Sequence, residues 1–258
     1  MRTTRAVVAE STNEMARSFV HSAGAGFGPV RSARAFIAER QTAARGRMGR
    51  PWHSPEGCVA LTVAWPVGSN PDASASVPLL AAMAAWEAVV EEDDTLLEDR
   101  LRIKWPNDLL VDGSKLGGIL CERVHAAAGA WVLVGIGINA DVDPAELADL
   151  GQPAVSLRGV LHRPINTAAL ADRVVQRLEA WMGVGGPTLP EPAAAALAAR
   201  LAHVGKNVLV AAPGREADGF VGTFEGIDTS GHAIVVTKAG RRKCPSGELS
   251  LRVRGAGV

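Results

Sequence analysis

The sequence predicts an α/β chain in which helices pack on a mixed β-sheet, followed by a small all-β barrel unit. Three observations carry this. The apolar, β-branched runs 58–65 and 131–138 have the length and composition of buried strands. Ala-rich segments with apolar residues at helical spacing lie among the strands, without the strict alternation of a doubly wound sheet. Near Gly205 the character changes to short β-like segments joined by Gly, Pro and Asp turns. At 258 residues the chain exceeds the usual size of one compact domain. The expected division is a large unit over 1–203 and a small one over 204–258.

Each element follows from local signals. The run 6–9 reads as a short strand leading into Ser11-Thr12-Asn13-Glu14. Ser11 and Glu14 have the spacing of a capping box, and Met15, Phe19 and Val20 give the following helix an apolar face. A turn at Gly24, Gly26 and Gly28 ends that helix. Residues 34–40 read as a strand, and 41–57 as a polar loop rich in Arg and Gly. After the strand 58–65, residues 76–90 form a helix with Pro78 in its first turn. Next come Lys104-Trp105-Pro106-Asn107-Asp108 and Lys115-Leu116-Gly117-Gly118-Ile119-Leu120, read as two adjacent strands. Asp112-Gly113 between them is a strong hairpin signal. The strand 131–138 and an amphipathic helix over 170–181 follow, the latter with Leu170, Val174, Leu178 and Trp181 on one face. The stretch 183–192 is a loop, 192–203 a helix, and 207–211, 220–227, 233–237 and 249–253 are the strands of the small unit.

Lys+Arg 27 against Asp+Glu 27 gives zero formal net charge, which argues against bulk attraction to nucleic acid or membrane. Any basic site is therefore local. Cys58, Cys121 and Cys244 lack metal-ligand spacing, and an odd, sparse set reads as reduced thiols of a cytoplasmic protein. The N-terminus has no signal-peptide pattern, and no apolar stretch is long enough to span a bilayer.

Four segments carry chemistry. In the hairpin, Lys115 comes directly after the turn, where a flexible cation reaches out of the sheet, and Lys104, Asn107 and Asp108 stand beside it. Cations answer the negative charge that builds at a phosphoryl-handling site, and a carboxylate helps place Mg²⁺. The loop 41–52 gathers Arg45, Arg47 and Arg50 with Gly46 and Gly49, and ends at Trp52. Guanidinium forks and glycine N–H groups bind anions, and Trp52 is able to stack on a flat ring, although a solvated basic loop has the same composition. Gly135-Ile136-Gly137-Ile138-Asn139 closes a strand with two glycines, which admit either a close strand or a ligand. Ser11, Thr12 and Asn13 cap a helix whose N-terminal N–H groups also face outward. The six histidines build no triad or zinc set.

In combination and in order along nearly the whole chain, these motifs resemble the biotin protein ligases, also called biotin–[acetyl-CoA-carboxylase] ligases. The segment 247–252 is similar to that family's small SH3-like domain. The resemblance implies a class II synthetase-like catalytic fold and a two-step reaction. Biotin and Mg-ATP form biotinyl-5′-AMP, and biotin then passes to one lysine of a carboxylase's biotin carrier domain. By carry-over, Arg45, Arg47 and Lys115 are catalytic, with Lys115 bridging the biotin carboxylate and the α-phosphate. Ser11, Thr12, Asn13 and Gln41 meet the ureido ring, and Gly46, Gly118, Leu120, Gly135 and Gly137 line the biotin slot. Trp52, Asn107, Asn139 and Arg252 fall on the ATP side together with Arg45, Arg47 and Lys115. Asp108 positions Mg²⁺ or a lysine, and Lys104 supports the geometry of its motif.

Two departures from the family pattern matter. Ala44 stands where the family's Arg loop usually has Gly. If that position has positive φ, strain of about 1 kcal/mol or more is expected, with a loop that orders less tightly. The Ser-Thr-Asn motif begins at residue 11, which leaves no room for the DNA-binding domain of some members, so no nucleic-acid partner is expected. A lipoate–protein ligase or octanoyltransferase, and a non-catalytic biotin-binding module, are the alternatives. The sequence leaves monomer and homodimer both open.

Overall fold

The structure is a computed structural model that describes residues 1–22, 32–67, 76–127, 129–184, 189, 191–245 and 249–253. The turn expected at Gly24, Gly26 and Gly28 lies outside the described residues, as does the 247–248 part of the C-terminal motif. In the first sheet the strands are β1 (Arg2–Ala9), β2 (Arg34–Gln41), β3 (Cys58–Pro66), β4 (Leu101–Lys104), β5 (Asp108–Val111), β6 (Ser114–Ala126) and β7 (Gly129–Asn139). Their order is β1-β2-β3-β7-β6-β5-β4. β1 and β2 run parallel, as the crossover through α1 (Thr12–Ser22) requires, and the remaining neighbours are antiparallel. The sheet is therefore mixed, as expected.

The two faces of this sheet carry different helices. On one, Ala16 and Val20 of α1 pack on Phe36, Ala64, Val124, Trp131 and Leu133. On the other, α2 (Val77–Val90) and α5 (Thr167–Val184) cover Val59, Leu61, Val63, Val134 and Ile136. α2 is buried on nearly every side, which explains why its sequence is apolar all round rather than striped. The short helices α3 (Asp94–Leu97), α4 (Leu157–Leu161) and α6 (Glu191–Arg200) complete the layer.

Several sequence expectations need correction. β1 starts at Arg2 rather than residue 6, because an edge strand tolerates the exposed Arg and Thr side chains that hide its signal. Lys104 to Asp108 is not one strand. Lys104 ends β4, residues 105–107 form a tight turn containing a cis Trp105–Pro106 peptide, and Asp108 opens β5. The expected capping box does not form. Ser11 Oγ accepts from the Asn13 N–H at 3.1 Å, the Thr12 N–H donates to Gln41 Oε1 at 2.8 Å, and Glu14 pairs with Arg17 instead. α6 stops at Arg200, and the left-handed backbone of His203 (φ 69°) and Gly205 (φ 76°) turns the chain into the second sheet.

That sheet is antiparallel throughout. It comprises β8 (Asn207–Ala211), β9 (Phe220–Ile227), β10 (Ala233–Thr237), β11 (Gly240–Cys244) and β12 (Ser250–Val253), in the order β11-β10-β9-β8-β12. β11 was not legible in the sequence, since Arg241, Arg242 and Lys243 carry no apolar alternation. They suit an exposed edge strand. Val208, Val210, Phe224 and Val235 continue the main core into this sheet. Trp105, 1% exposed, donates from Nε1 to the Gly231 carbonyl at 3.0 Å and so ties the β4–β5 turn to the β9–β10 turn. Replacing Trp105 by Phe keeps the ring but orphans a buried carbonyl, so a loss of about 1–3 kcal/mol is expected. Urea denaturation of the whole chain checks this, and an unchanged midpoint would remove the assigned role of the bond.

Candidate active site

A cavity of about 960 Å³ opens between the two sheets and the loop 43–52. Its floor is the face of β6 and β7 that carries Gly118, Leu120, Gly135 and Gly137, and the start of α1 closes one end. The β4–β5 turn and Arg252 of β12 stand at the other end. Most of the residues expected at the site are thus brought together.

Lys115 reaches this face through a β-bulge. Asp108 pairs with Gly118 and Leu109 with Gly117, but Leu110 pairs with Lys115, so Leu116 is the extra residue in β6. Side chains three apart on a regular strand point to opposite faces. The bulge cancels that alternation, and a Cβ on Gly118 would meet Lys115 Cε at 3.5 Å. Lys115 Nζ pairs with Asp108 Oδ1 at 2.8 Å, each side chain being 18% exposed, and lies 5.3 Å from the centre of the Trp52 ring. Asp108 therefore holds a lysine here. Among the described residues no group of three or more His, Cys, Asp or Glu side chains is placed to hold a metal. Of the two expectations for Asp108, positioning a lysine is the one its side-chain geometry displays.

The Arg loop braces itself and then reaches across the cavity. The Gly46 N–H donates to the Arg50 carbonyl at 2.7 Å, and Arg45 and Pro51 form an isolated β-bridge. Arg47 donates to Asn107 Oδ1 at 3.0 Å and to the Leu249 carbonyl at 3.1 Å, linking the loop to the β4–β5 turn and to the approach to β12. Burial pushes its pKa down, partly opposed by Asp108. Asn107 also donates from Nδ2 to the Ile119 carbonyl at 2.8 Å. Ala44 does not have positive φ, so the strain expected there is absent. Met48 (φ 58°) and Gly49 (φ 70°) take the left-handed positions of the loop. Arg45 is exposed at the cavity, and Arg252 pairs with Glu216 at 2.9 Å. Lys104 lines the cavity too, where burial pushes its pKa down.

The glycines of β7 make room for protein side chains. A Cβ on Gly135 would lie 2.5 Å from Asn13 Oδ1, and one on Gly137 would lie 3.0 Å from the Trp52 indole. Asn13 is largely buried and bonded to Thr62 and Glu122, and it forms part of the cavity wall. Asn139 does not line the cavity. It is 3% exposed, donates to the Val155 carbonyl at 3.1 Å and accepts from the Cys58 thiol, bonds that brace the end of β7. Sequence reasoning missed Thr62 and Glu122. The available signals were a hydroxyl inside the apolar run of β3, and a carboxylate two residues after Leu120, hence on the same face of β6.

Relatives agree with this architecture. Residues 7–139 match the Biotin/lipoate A/B protein ligase family, and residues 203–252 match the Biotin protein ligase C terminal domain. A biotin–[acetyl-CoA-carboxylase] ligase from Paracoccus denitrificans is 33% identical over 216 residues, covering 83% of this chain and 88% of that protein. One from Mycobacterium tuberculosis is 33% identical over 210 residues, covering 76% of this chain and 70% of the relative. Among solved structures, a biotin protein ligase from Aquifex aeolicus superposes with a TM-score of 0.76 at 23% identity, over 98% of this chain and 99% of that one. The likeness to that structure extends through both sheets and establishes the fold, including the SH3-like character of the second sheet. With sequence similarity running through both units, the chain belongs to the biotin/lipoate A/B protein ligase family.

Proposed function

We propose that the protein is a biotin protein ligase, which uses ATP to convert biotin to biotinyl-5′-AMP and transfers the biotin to a lysine of a carboxylase's biotin carrier domain. The observation that carries the reading is Lys115. A buried-side ammonium on Asp108 stands between a wall of arginines and a polar end that suits a small neutral ring. In the first step a carboxylate oxygen of biotin attacks the α-phosphorus of ATP, the bond to the β-phosphate oxygen breaks, and pyrophosphate leaves. Two anions must approach, so the chain's contribution is fixed positive charge. Lys115 bridges the carboxylate and the α-phosphate, while Arg45 and Arg47 neutralise the phosphates and close the loop over them. Magnesium travels on the nucleotide's phosphates and neutralises part of their charge. In the second step the acceptor lysine's amine attacks the acyl carbon of the mixed anhydride, AMP leaves, and the loop excludes water until then.

The remaining assignments belong to the same reading. Ser11, Thr12 and Gln41 hydrogen-bond the ureido ring, and Gly46, Gly118, Leu120, Gly135 and Gly137 border the ring and its aliphatic chain. Trp52, Asn107 and Arg252 belong to the nucleotide side. The catalytic unit extends over 1–203 and the small unit from 204 onward, which agrees with the start of β8 at Asn207. Among the described residues no helix is long and apolar enough to cross a membrane. All three cysteines are free thiols. A cytoplasmic carrier domain of an acetyl-CoA or related acyl-CoA carboxylase is the partner that fits this chemistry.

The decisive measurement is transfer of labelled biotin to a carrier domain, with pyrophosphate release followed in parallel. Lys115→Ala is expected to lower both by about 10²–10³-fold, the range for a lost transition-state cation or donor. Full pyrophosphate release by the variant would refute the role given to Lys115, and labelling with lipoate in place of biotin would move the protein to the family's other branch. Ala44→Gly serves as the contrasting case. Since φ at Ala44 is not positive, biotin affinity and retention of the adenylate are expected to stay within about twofold of wild type, because backbone strain of about 1 kcal/mol is what a glycine would have relieved. A tighter Gly variant would restore the idea that this loop is strained.

A further inference from the structure

Along the α1 end of the cavity runs a chain of side chains whose hydrogen-bond polarity is set from one end. Glu122 on β6 accepts from Asn13 Nδ2 at 2.5 Å. Asn13 Oδ1 lies 2.5 Å from the hydroxyl of Thr62, which is fully buried on β3. That hydroxyl also lies 2.8 Å from Thr12 Oγ1. Thr12 lines the cavity, and its N–H donates to Gln41 Oε1 at 2.8 Å.

Proton counting gives this chain a direction. An ionised carboxylate only accepts, so Glu122 holds Asn13 with Nδ2 toward itself and Oδ1 toward Thr62. The amide is no longer free to flip. Thr62 has a single hydroxyl proton, and the shorter contact, to Asn13, takes it. The contact between Thr62 and Thr12 must then be bridged by the proton of Thr12. With that proton committed inward, Thr12 Oγ1 faces the cavity as an acceptor. Its 3.2 Å approach to Gln41 Oε1 is the longest in the group and carries no proton in this arrangement. Gln41 is oriented as well. Its carbonyl is held by the Thr12 N–H, and Nε2, which reaches Ser54 Oγ only at 3.5 Å, is the donor it offers.

We infer that Glu122 and Thr62 are positioning residues that set the polarity of the ureido subsite, making Thr12 its acceptor and Gln41 its donor. A cyclic urea offers N–H on its edge and C=O at its apex, so it takes one of each. This rests on the biotin reading above and adds the reason for the selectivity. Gly135 belongs to the same device, because any side chain there would displace the Asn13 amide.

Calorimetric titration of the whole chain with biotin, and with a carbamate analogue in which ring oxygen replaces one urea N–H, tests it. Wild type is expected to prefer biotin by about tenfold, the value of one hydrogen bond with an acceptor left unpaired. In Glu122→Gln the residue at 122 both donates and accepts, so Asn13 regains its flip. Biotin affinity falls by about tenfold and the preference over the carbamate shrinks toward parity. Thr62→Val behaves likewise, and Thr62→Ser restores the preference. Arg17 pairs with Glu122 at 3.2 Å, and Arg17→Gln, which keeps the carboxylate, retains the wild-type preference. An unchanged preference in Glu122→Gln overturns the inference. So does an equal loss for both ligands, which marks general damage, and so does a matching effect of Arg17→Gln. If Thr62→Val does not fold, Glu122→Gln decides alone. Failure of wild type to bind biotin at all refutes the ligase reading, and this inference falls with it.

Discussion

One extra residue in β6 determines which chemistry this sheet supports. Leu116 sits opposite the step between Leu109 and Leu110, and both it and Ile119 turn into the core. Without it, Lys115 would share their side of the sheet, against α2 and α5, where a lone ammonium costs several kcal/mol. With it, Lys115 joins Gly118, Leu120 and Glu122 on the cavity face. The neighbouring structure serves this placement. The Asp112-Gly113 turn has both residues left-handed (φ 49° and 81°), the geometry that starts β6 tightly after β5. Asp108, at the other end of the short strand β5, is thereby level with Gly118 and meets the lysine.

The ion pair of Lys115 and Asp108 also organises the charges around it. Arg47 and Lys104 are each attracted by Asp108, and Lys104 is repelled by Lys115, Arg252 and Arg50. Positive charge so concentrated is stable only where other forces fix the backbone. The turn that carries Asp108 is pinned by the Asn107 amide on the Ile119 carbonyl and by Trp105 on the second sheet. The small sheet therefore has a task in the catalytic unit. It supplies the carbonyl of Gly231, the carbonyl of Leu249 for Arg47, and Arg252 at the rim.

What the sequence disclosed follows the range of the forces involved. Strands with apolar runs were legible over their full length, as in 207–211, 220–227 and 233–237, because burial and β-branching are written in each residue. The Asp112-Gly113 turn was legible because its backbone demands those residues. Two edge segments were not, since solvent removes the pattern: Arg2 to Arg5 of β1 and the charged β11 have no apolar face to reveal them. Cavity-lining residues were legible where a motif gathers them, as with Lys115, Arg47 and Gly118. Thr62 and Glu122 escaped because their bonds to Thr12 and Asn13 join residues 50 and 109 apart in sequence. Asn139 shows what packing adds to a motif. An amide after two glycines suits a ligand, and its side chain also bonds the Val155 carbonyl.

Lys104 shows why a residue's neighbours must be weighed before its role. From sequence it was a support for the geometry of its motif. Its side chain instead lines the cavity, where desolvation and three cations act against its charge and Asp108 alone among its named partners acts for it. The sign of that balance matters. A group whose charged form is disfavoured by burial gains more than an exposed lysine when an anion arrives, because the incoming charge restores what burial removed. The same reasoning applies to Arg47, whose pKa burial also lowers. Cations held at this end are thus paid in advance through folding for work done when phosphate enters. The opposite end is built from neutral hydrogen-bonding groups around Thr12 and Gln41. A molecule that fits both ends must be polar and uncharged at one end and anionic at the other, with an apolar stretch between to lie over Gly118, Leu120 and Gly137.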